Sequence, residues 1–260
     1  MTSHVTSADG TEIAYDLMGS GPPVVVAGGI FCDRRTTQAL AEQLADTCTV
    51  VNFDRRGRGE SGDTPPYAVE REVEDIAALI AAVGGSAALY GHSSGAGLAF
   101  HAAARGLPIT RLVLHEPPYG PDDDESTGAA RRLAADVGAA LAEGRRGDAI
   151  ALFMADSGLP PEMVEEMTRD SKMLAVAPTM PYDLQVMGDE TGGTIPEDLA
   201  RAVTVPTLVL AGGASADFFR DTAERLAELL PDAELAVLQG QDHGAAPEVV
   251  APLVTKFMAG

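Results

Sequence analysis

The chain has 260 residues, with 18 basic against 39 acidic side chains, a formal charge of −21, 45% hydrophobic residues and 22% charged ones. That balance fits one large α/β domain, or a domain with an insertion, and excludes a disordered polymer. The acidic excess repels nucleic acid and anionic membrane, so neither is expected as a partner; most of it reads as a solubilising surface, the rest as attraction for a cationic substrate.

Asp9-Gly10, between Val5–Ser7 and the alternating Glu12–Tyr15, predicts an opening hairpin. Pro22–Gly29 is an apolar run closing in two glycines, the pattern of a strand buried on both faces of a parallel sheet. Then follow a helix at Thr37–Ala45, a strand at Thr49–Phe53, and a helix over Val69–Val83 with Ile76, Leu79, Ile80 and Val83 on one face. Ala87–Tyr90 reads as a strand, the small-residue stretch to Ala104 as a helix, and Thr110–His115 as a strand. The closing third repeats the alternation: strands at Pro206–Leu210 and Glu234–Leu238, helices at Asp221–Leu230 and Pro247–Met258. Repeated βα units imply a mainly parallel central sheet with helices on both faces.

Between Glu116 and about Val203 no strand pattern occurs. Helices are expected at Ala129–Glu143, Asp148–Met154 and Pro161–Asp170, and the acidic run Asp122–Glu125 reads as a solvated loop. The domain reading is therefore a core of residues 1–116 and 204–260 with a helical cap insertion at 117–203. Six of the nine methionines (Met154, Met163, Met167, Met173, Met180 and Met187) fall in the insertion. Methionine adapts to irregular apolar surfaces, and the cluster suggests an apolar pocket wall, with Met154 as a substrate-binding candidate.

Gly91-His92-Ser93-Ser94-Gly95 fits G-x-S-x-G between a strand and a helix. In such a tight turn the serine is held in a strained backbone with its Oγ exposed, and the glycines make room for strand and helix. Ser93 is thus the candidate nucleophile; a purely structural or phosphate-binding turn is the competing reading. A serine hydroxyl needs a base, and His243, just after the last predicted strand, stands where the order serine, acid, histidine requires. His4, His92, His101 and His115 occupy less suitable places.

Through Gly28-Gly29, the turn Asp54-Arg55-Arg56-Gly57-Arg58-Gly59-Glu60-Ser61, Gly91–Gly95 and Gly240–His243, the chain resembles the α/β-hydrolase superfamily over nearly its whole length. It is most similar to small bacterial serine hydrolases or esterases with a helical cap. The resemblance implies an oxyanion hole made by the backbone N–H groups of Ser94 and Ile30, with Phe31 flanking the pocket. The histidine usual before the second of these glycines is replaced by Gly28, which leaves a backbone donor untouched. It also implies that the arginines of Asp54–Ser61 are structural. For the acid it offers two positions: Glu116, at the end of the sixth strand, is preferred to Asp217, slightly late in the loop after the seventh; Asp242 is a third.

The implied function is hydrolysis of a carboxylic ester or lactone with an apolar moiety through a Ser-His-acid triad and an acyl-enzyme. Alternatives are a natural-product tailoring enzyme of thioesterase, lyase or cyclase type, and a receptor-like ligand-binding protein with little turnover. A small-molecule substrate is expected; no cofactor is implied, and no metal, since the histidines are scattered and Cys32 and Cys48 read as buried thiols. The opening residues lack the basic and apolar regions of a secretory leader, and no run nears the ~18 apolar residues of a membrane span, so a cytoplasmic protein is expected. Oligomeric state is not legible.

Overall fold

The structure is a computed structural model that describes residues 2–155 and 159–260. Aliphatic runs set its centre. Val24–Val26, Val50-Val51, Leu112–Leu114 and Leu208–Leu210 have at most 4% exposure, as strands covered on both faces require. They belong to β3 (Pro23–Ala27), β4 (Thr49–Phe53), β6 (Ile109–His115) and β7 (Thr207–Gly212). With β1 (Thr2–Thr6), β2 (Glu12–Gly19), β5 (Ala87–His92) and β8 (Ala233–Leu238) they form one sheet in the order β1-β2-β4-β3-β5-β6-β7-β8. β1–β2 and β2–β4 pair antiparallel and every later pair is parallel.

Alternation along the strands sorts the core into two layers. Val25, Val51, Leu89, Leu112, Leu114 and Val209 face α2 (Val69–Ala82), α3 (Ser94–Ala104) and α10 (Asp217–Leu229). Val24, Val26, Val50, Val113, Leu208 and Leu210 face α1 (Gln38–Leu44) and α11 (Pro247–Ala259). In α2, Ile76, Leu79 and Ile80 of the predicted face are buried together with Val73, while Val83 is the half-buried C-cap; each buried side chain is worth about 1.5–3 kcal/mol of transfer free energy.

The segment between β6 and β7 is helical: α4 (Asp124–Ala142), α5 (Arg146–Met154), α6 (Pro161–Met167), α7 (Ser171–Val176), α8 (Met180–Met187) and α9 (Glu197–Ala202). Helices α7 to α9 have no counterpart in the sequence reading, because short helices interrupted by Gly and Pro leave too few turns for a period to register. The run Asp122–Glu125 is not a loop throughout. Asp123 caps α4, accepting the Ser126 N–H at 2.8 Å, and Asp124 and Glu125 form its first turn, where the helix dipole favours negative charge. The methionines divide. Met180 and Met187 are buried, and Met154, Met167 and Met173 pack partly buried on the cap cluster around Val137, Ile150 and Leu184. Met163 is 49% exposed and stands outside the cluster that Met167 of the same helix joins. No helix among the described residues is long and apolar enough to cross a membrane.

Candidate active site

Parallel strands deliver their next residues to one edge of the sheet. Strands β5 and β6 are in register at His92 and His115, so Ser93 and Glu116, each one residue later, emerge side by side. The Ser93 N–H donates to the His115 carbonyl at 2.9 Å and the Glu116 N–H to the Leu210 carbonyl at 3.0 Å. Both then leave strand geometry abruptly. Ser93 has φ 57° and ψ −129°, and Glu116 has φ 49°. With Phe31, φ 62°, in the loop after β3, they are the described non-glycine residues with positive φ. Each such backbone costs on the order of 1–3 kcal/mol, and all three lie at the carboxyl edge of neighbouring strands.

Glycine makes the Ser93 turn possible. A Cβ on Gly91 would lie 2.2 Å from the Gly95 carbonyl oxygen, and one on Gly95 would lie 2.3 Å from that of Ala27. Gly29 is packed equally tightly, its absent Cβ falling 2.7 Å from the Ser93 Cβ. The segment Gly28–Ile30 therefore runs directly against the serine.

His243 stands in the loop between β8 and α11. Its Nδ1 lies 2.6 Å from Glu116 Oε2. A carboxylate there accepts a hydrogen bond from Nδ1–H, which leaves Nε2 as the acceptor. The second oxygen, Oε1, accepts the Gly212 N–H at 2.6 Å. Burial pushes the Glu116 carboxyl up, but these hydrogen bonds outweigh it and hold it below the ordinary range. Asp217 is elsewhere: it opens α10, largely exposed, and pairs with Arg220 at 3.0 Å. Asp242 accepts the Gly244 N–H at 2.9 Å.

Two further residues hold the imidazole: Phe219, which the sequence did not mark, and His92, weighed there only as a base. Phe219 stacks on it with centroids 4.4 Å apart, and His92 lies on it at 4.6 Å. His92 Nε2 donates to the His243 carbonyl at 2.8 Å, tying the histidine loop to the residue preceding Ser93. Burial, then the neighbouring His243, lowers His92 to about 4, so it is a neutral spacer at pH 7. Burial also holds His115 well below the ordinary range, and its Nδ1 accepts the Tyr90 hydroxyl at 2.7 Å.

Apolar residues of the insertion lie over the β3 loop. Ile30 and Phe31 pack on the cap cluster together with Phe153 and Met154, and Phe31 meets Phe153 edge-on at 5.7 Å. Beneath the cap the arginines of the Asp54–Ser61 turn are buried and paired. Arg55 makes a two-pronged bond to Glu72 at 2.6 and 2.7 Å, Arg56 does the same to Asp75 at 2.7 and 2.8 Å, and Arg55 and Arg58 share Asp183 of α8. Three arginines in four residues next to a core strand were the sequence signal that buried carboxylates must face them; nothing marked Asp183 as one of them. Among the described residues no three His, Cys, Asp or Glu side chains gather as metal ligands.

Residues 10–253 match the Alpha/beta hydrolase family. The chain belongs to this family. An α/β hydrolase from Sphaerobacter thermophilus is similar over 98% of this chain and all of its own, at 50% identity with a TM-score of 0.90. A thermophilic esterase from Thermogutta terrifontis, solved with malate bound, is similar over 100% of this chain and 98% of its own at 27% identity, TM-score 0.76. A 2-(acetamidomethylene)succinate hydrolase of Mesorhizobium japonicum is 26% identical over 251 residues, 92% of this chain and 89% of the relative. The chain is thus an α/β hydrolase with a helical insertion between its sixth and seventh strands.

Proposed function

We propose that this α/β hydrolase cleaves a carboxylic ester or lactone with an apolar moiety through a Ser93 acyl-enzyme. The observation that carries the reading is the Glu116–His243 pair at 2.6 Å, beside a serine in a strained strand-to-helix turn. In this mechanism His243 Nε2 takes the Ser93 proton as Oγ bonds to the acyl carbon. Glu116 holds the imidazole in the Nδ1–H tautomer and stabilises the imidazolium. The Ile30 and Ser94 N–H groups receive the carbonyl oxygen as it becomes an oxyanion, each worth about 3–4 kcal/mol in comparable sites. The tetrahedral species collapses, the leaving alkoxide takes the proton from His243, and water repeats the sequence to release the acid.

Phe31 and Met154 are assigned to the apolar side of the substrate. Support comes from the Ile30–Phe31–Phe153–Met154 packing and from the pairing of Arg55 and Arg58 with carboxylates of the protein itself. A second reading, amide cleavage, is favoured by the succinate-type amide hydrolase among the relatives; the same groups would serve, with an amine leaving.

Intact-mass spectrometry after a fluorophosphonate probe tests the core of the proposal. A single adduct on the wild type, absent from Ser93→Ala, is expected, and an unmodified wild type would favour the receptor-like alternative. Rates on 4-nitrophenyl acyl esters, lactones and matched anilides then separate ester from amide cleavage. Faster turnover of the anilides would reject the ester reading.

A further inference from the structure

Asp183 belongs to α8 of the insertion and is 2% exposed. Its Oδ1 accepts the Ser94 hydroxyl and Arg55 Nη1, both at 2.6 Å, and its Oδ2 accepts Arg58 Nη2. Arg58 carries the linkage onward. Its Nη1 donates to the Gly29 carbonyl at 2.7 Å and the Cys32 carbonyl at 3.3 Å, and its Nε to Thr179 Oγ1 at 3.0 Å.

A trans peptide is planar, with its C=O and N–H pointing opposite ways. The Gly29 carbonyl and the Ile30 N–H are the two ends of one such unit, so gripping the oxygen aims the N–H. The Ser93 carbonyl and the Ser94 N–H form a second unit. Its oxygen accepts the Ala96 N–H at 2.8 Å and the Gly97 N–H at 3.3 Å, which turns the Ser94 N–H away from the helix. The Ser94 side chain, tied to Asp183, fixes that residue's remaining freedom.

We infer that Asp183 is a positioning residue of the cap: one carboxylate sets both backbone donors of the oxyanion, the first through Ser94 and the second through Arg58 and Gly29. The inference rests on the serine-hydrolase reading above. It makes the seating of α8 and the competence of the core a single event, since withdrawing α8 frees Arg58, which holds the Gly29–Ile30 unit, and the Ser94 side chain together. An amide at this position keeps one acceptor oxygen where the carboxylate has two, and it presents N–H groups to a donor.

The test compares the wild type with Asp183→Asn and with Asp75→Asn as a control. Asp75 is as deeply buried and bonds Arg56 of the same turn, but has no link to Ser94 or Gly29. Melting temperature, kcat and KM on 4-nitrophenyl butyrate, and inhibition by an alkyl trifluoromethyl ketone that forms an oxyanion on Ser93 would be measured. Asp183→Asn is expected to lower kcat by about 30- to 300-fold with KM within about threefold, and to weaken the ketone by the same factor, less than the roughly 10²- to 10³-fold lost when an oxyanion donor is removed outright. Asp75→Asn is expected to lose comparable melting temperature and keep kcat within about threefold. Equal kcat losses in the two variants, or near wild-type kcat in Asp183→Asn, would overturn the inference.

If Asp183→Asn does not fold, Ser94→Ala and Arg58→Lys each cut one branch. Both should lower kcat with KM held, and wild-type turnover in both would overturn the inference. Failure of the underlying reading is distinct: it appears as absent fluorophosphonate labelling of wild-type Ser93, and the inference falls with it.

Discussion

Glu116 combines complete burial, a positive φ and a bond to Nδ1 of the imidazole whose Nε2 serves Ser93 in the proposed reaction. Glu116→Gln keeps the shape and removes the charge that selects the tautomer and stabilises the imidazolium. A fall in kcat of about 10²–10⁴ is expected, as for other triads stripped of the acid's charge. Asp217→Asn, on an exposed helix start, should stay within about threefold, and the reverse ranking in steady-state assays would reassign the acid. His92 supplies a second residue-level expectation. Its folded pKa of about 4 lies below the ordinary 6.5, so between those values the unfolded chain binds more protons and stability rises with pH. The stabilisation is full above pH 6.5 and is lost as pH falls towards 4, by at most about 3 kcal/mol. Urea titrations at pH 7 and pH 4.5 should show the loss, and His92→Gln should flatten it; an unchanged slope would remove His92 as the cause.

At the level of elements, glycine positions separate into those the packing forbids and those it leaves open. Gly95→Ala drives a Cβ to 2.3 Å from a backbone oxygen of β3 with no flexible group to yield. It should cost about 3 kcal/mol or more, or prevent folding. Gly138, inside α4, has open space around the missing Cβ, and Gly138→Ala should stabilise by about 0.5–1 kcal/mol. Thermal melts decide both. The same contrast explains what could be read in advance. Strands β3 to β8 were legible as apolar runs bounded by turn residues and the long helices by their composition and period, while Ser93 and His243 stood out as candidates because turn chemistry confines such residues to fixed places in the chain order. Helices α7 to α9 were not, being too short to show a period. Nor was the Asp183 cluster, whose members are up to 128 residues apart in the chain and meet only when the insertion folds back.

Over the whole molecule, the charge of −21 acts through self-repulsion, while the ion pairs under the cap are buried and escape screening. Added salt should therefore raise the melting temperature by relieving the surface without loosening the cap. A scan from 0.02 to 0.5 M NaCl should show a rise of several degrees, and a fall would mean that surface pairs such as Arg201–Glu197 outweigh the repulsion. The insertion leaves β6 and returns on β7, and those strands are hydrogen-bonded neighbours from Leu112–Thr207 to His115–Leu210. So short a gap between exit and re-entry lets one insertion replace another without disturbing the sheet. The two buried arginines forbid a free exchange. Any graft that lacks an acidic residue where Asp183 stands leaves Arg55 with Glu72 alone and Arg58 with no counter-charge among the partners it has here. Lineages of this scaffold are thus expected to inherit the acid and the arginines as a set, while the rest of the insertion drifts toward new substrates.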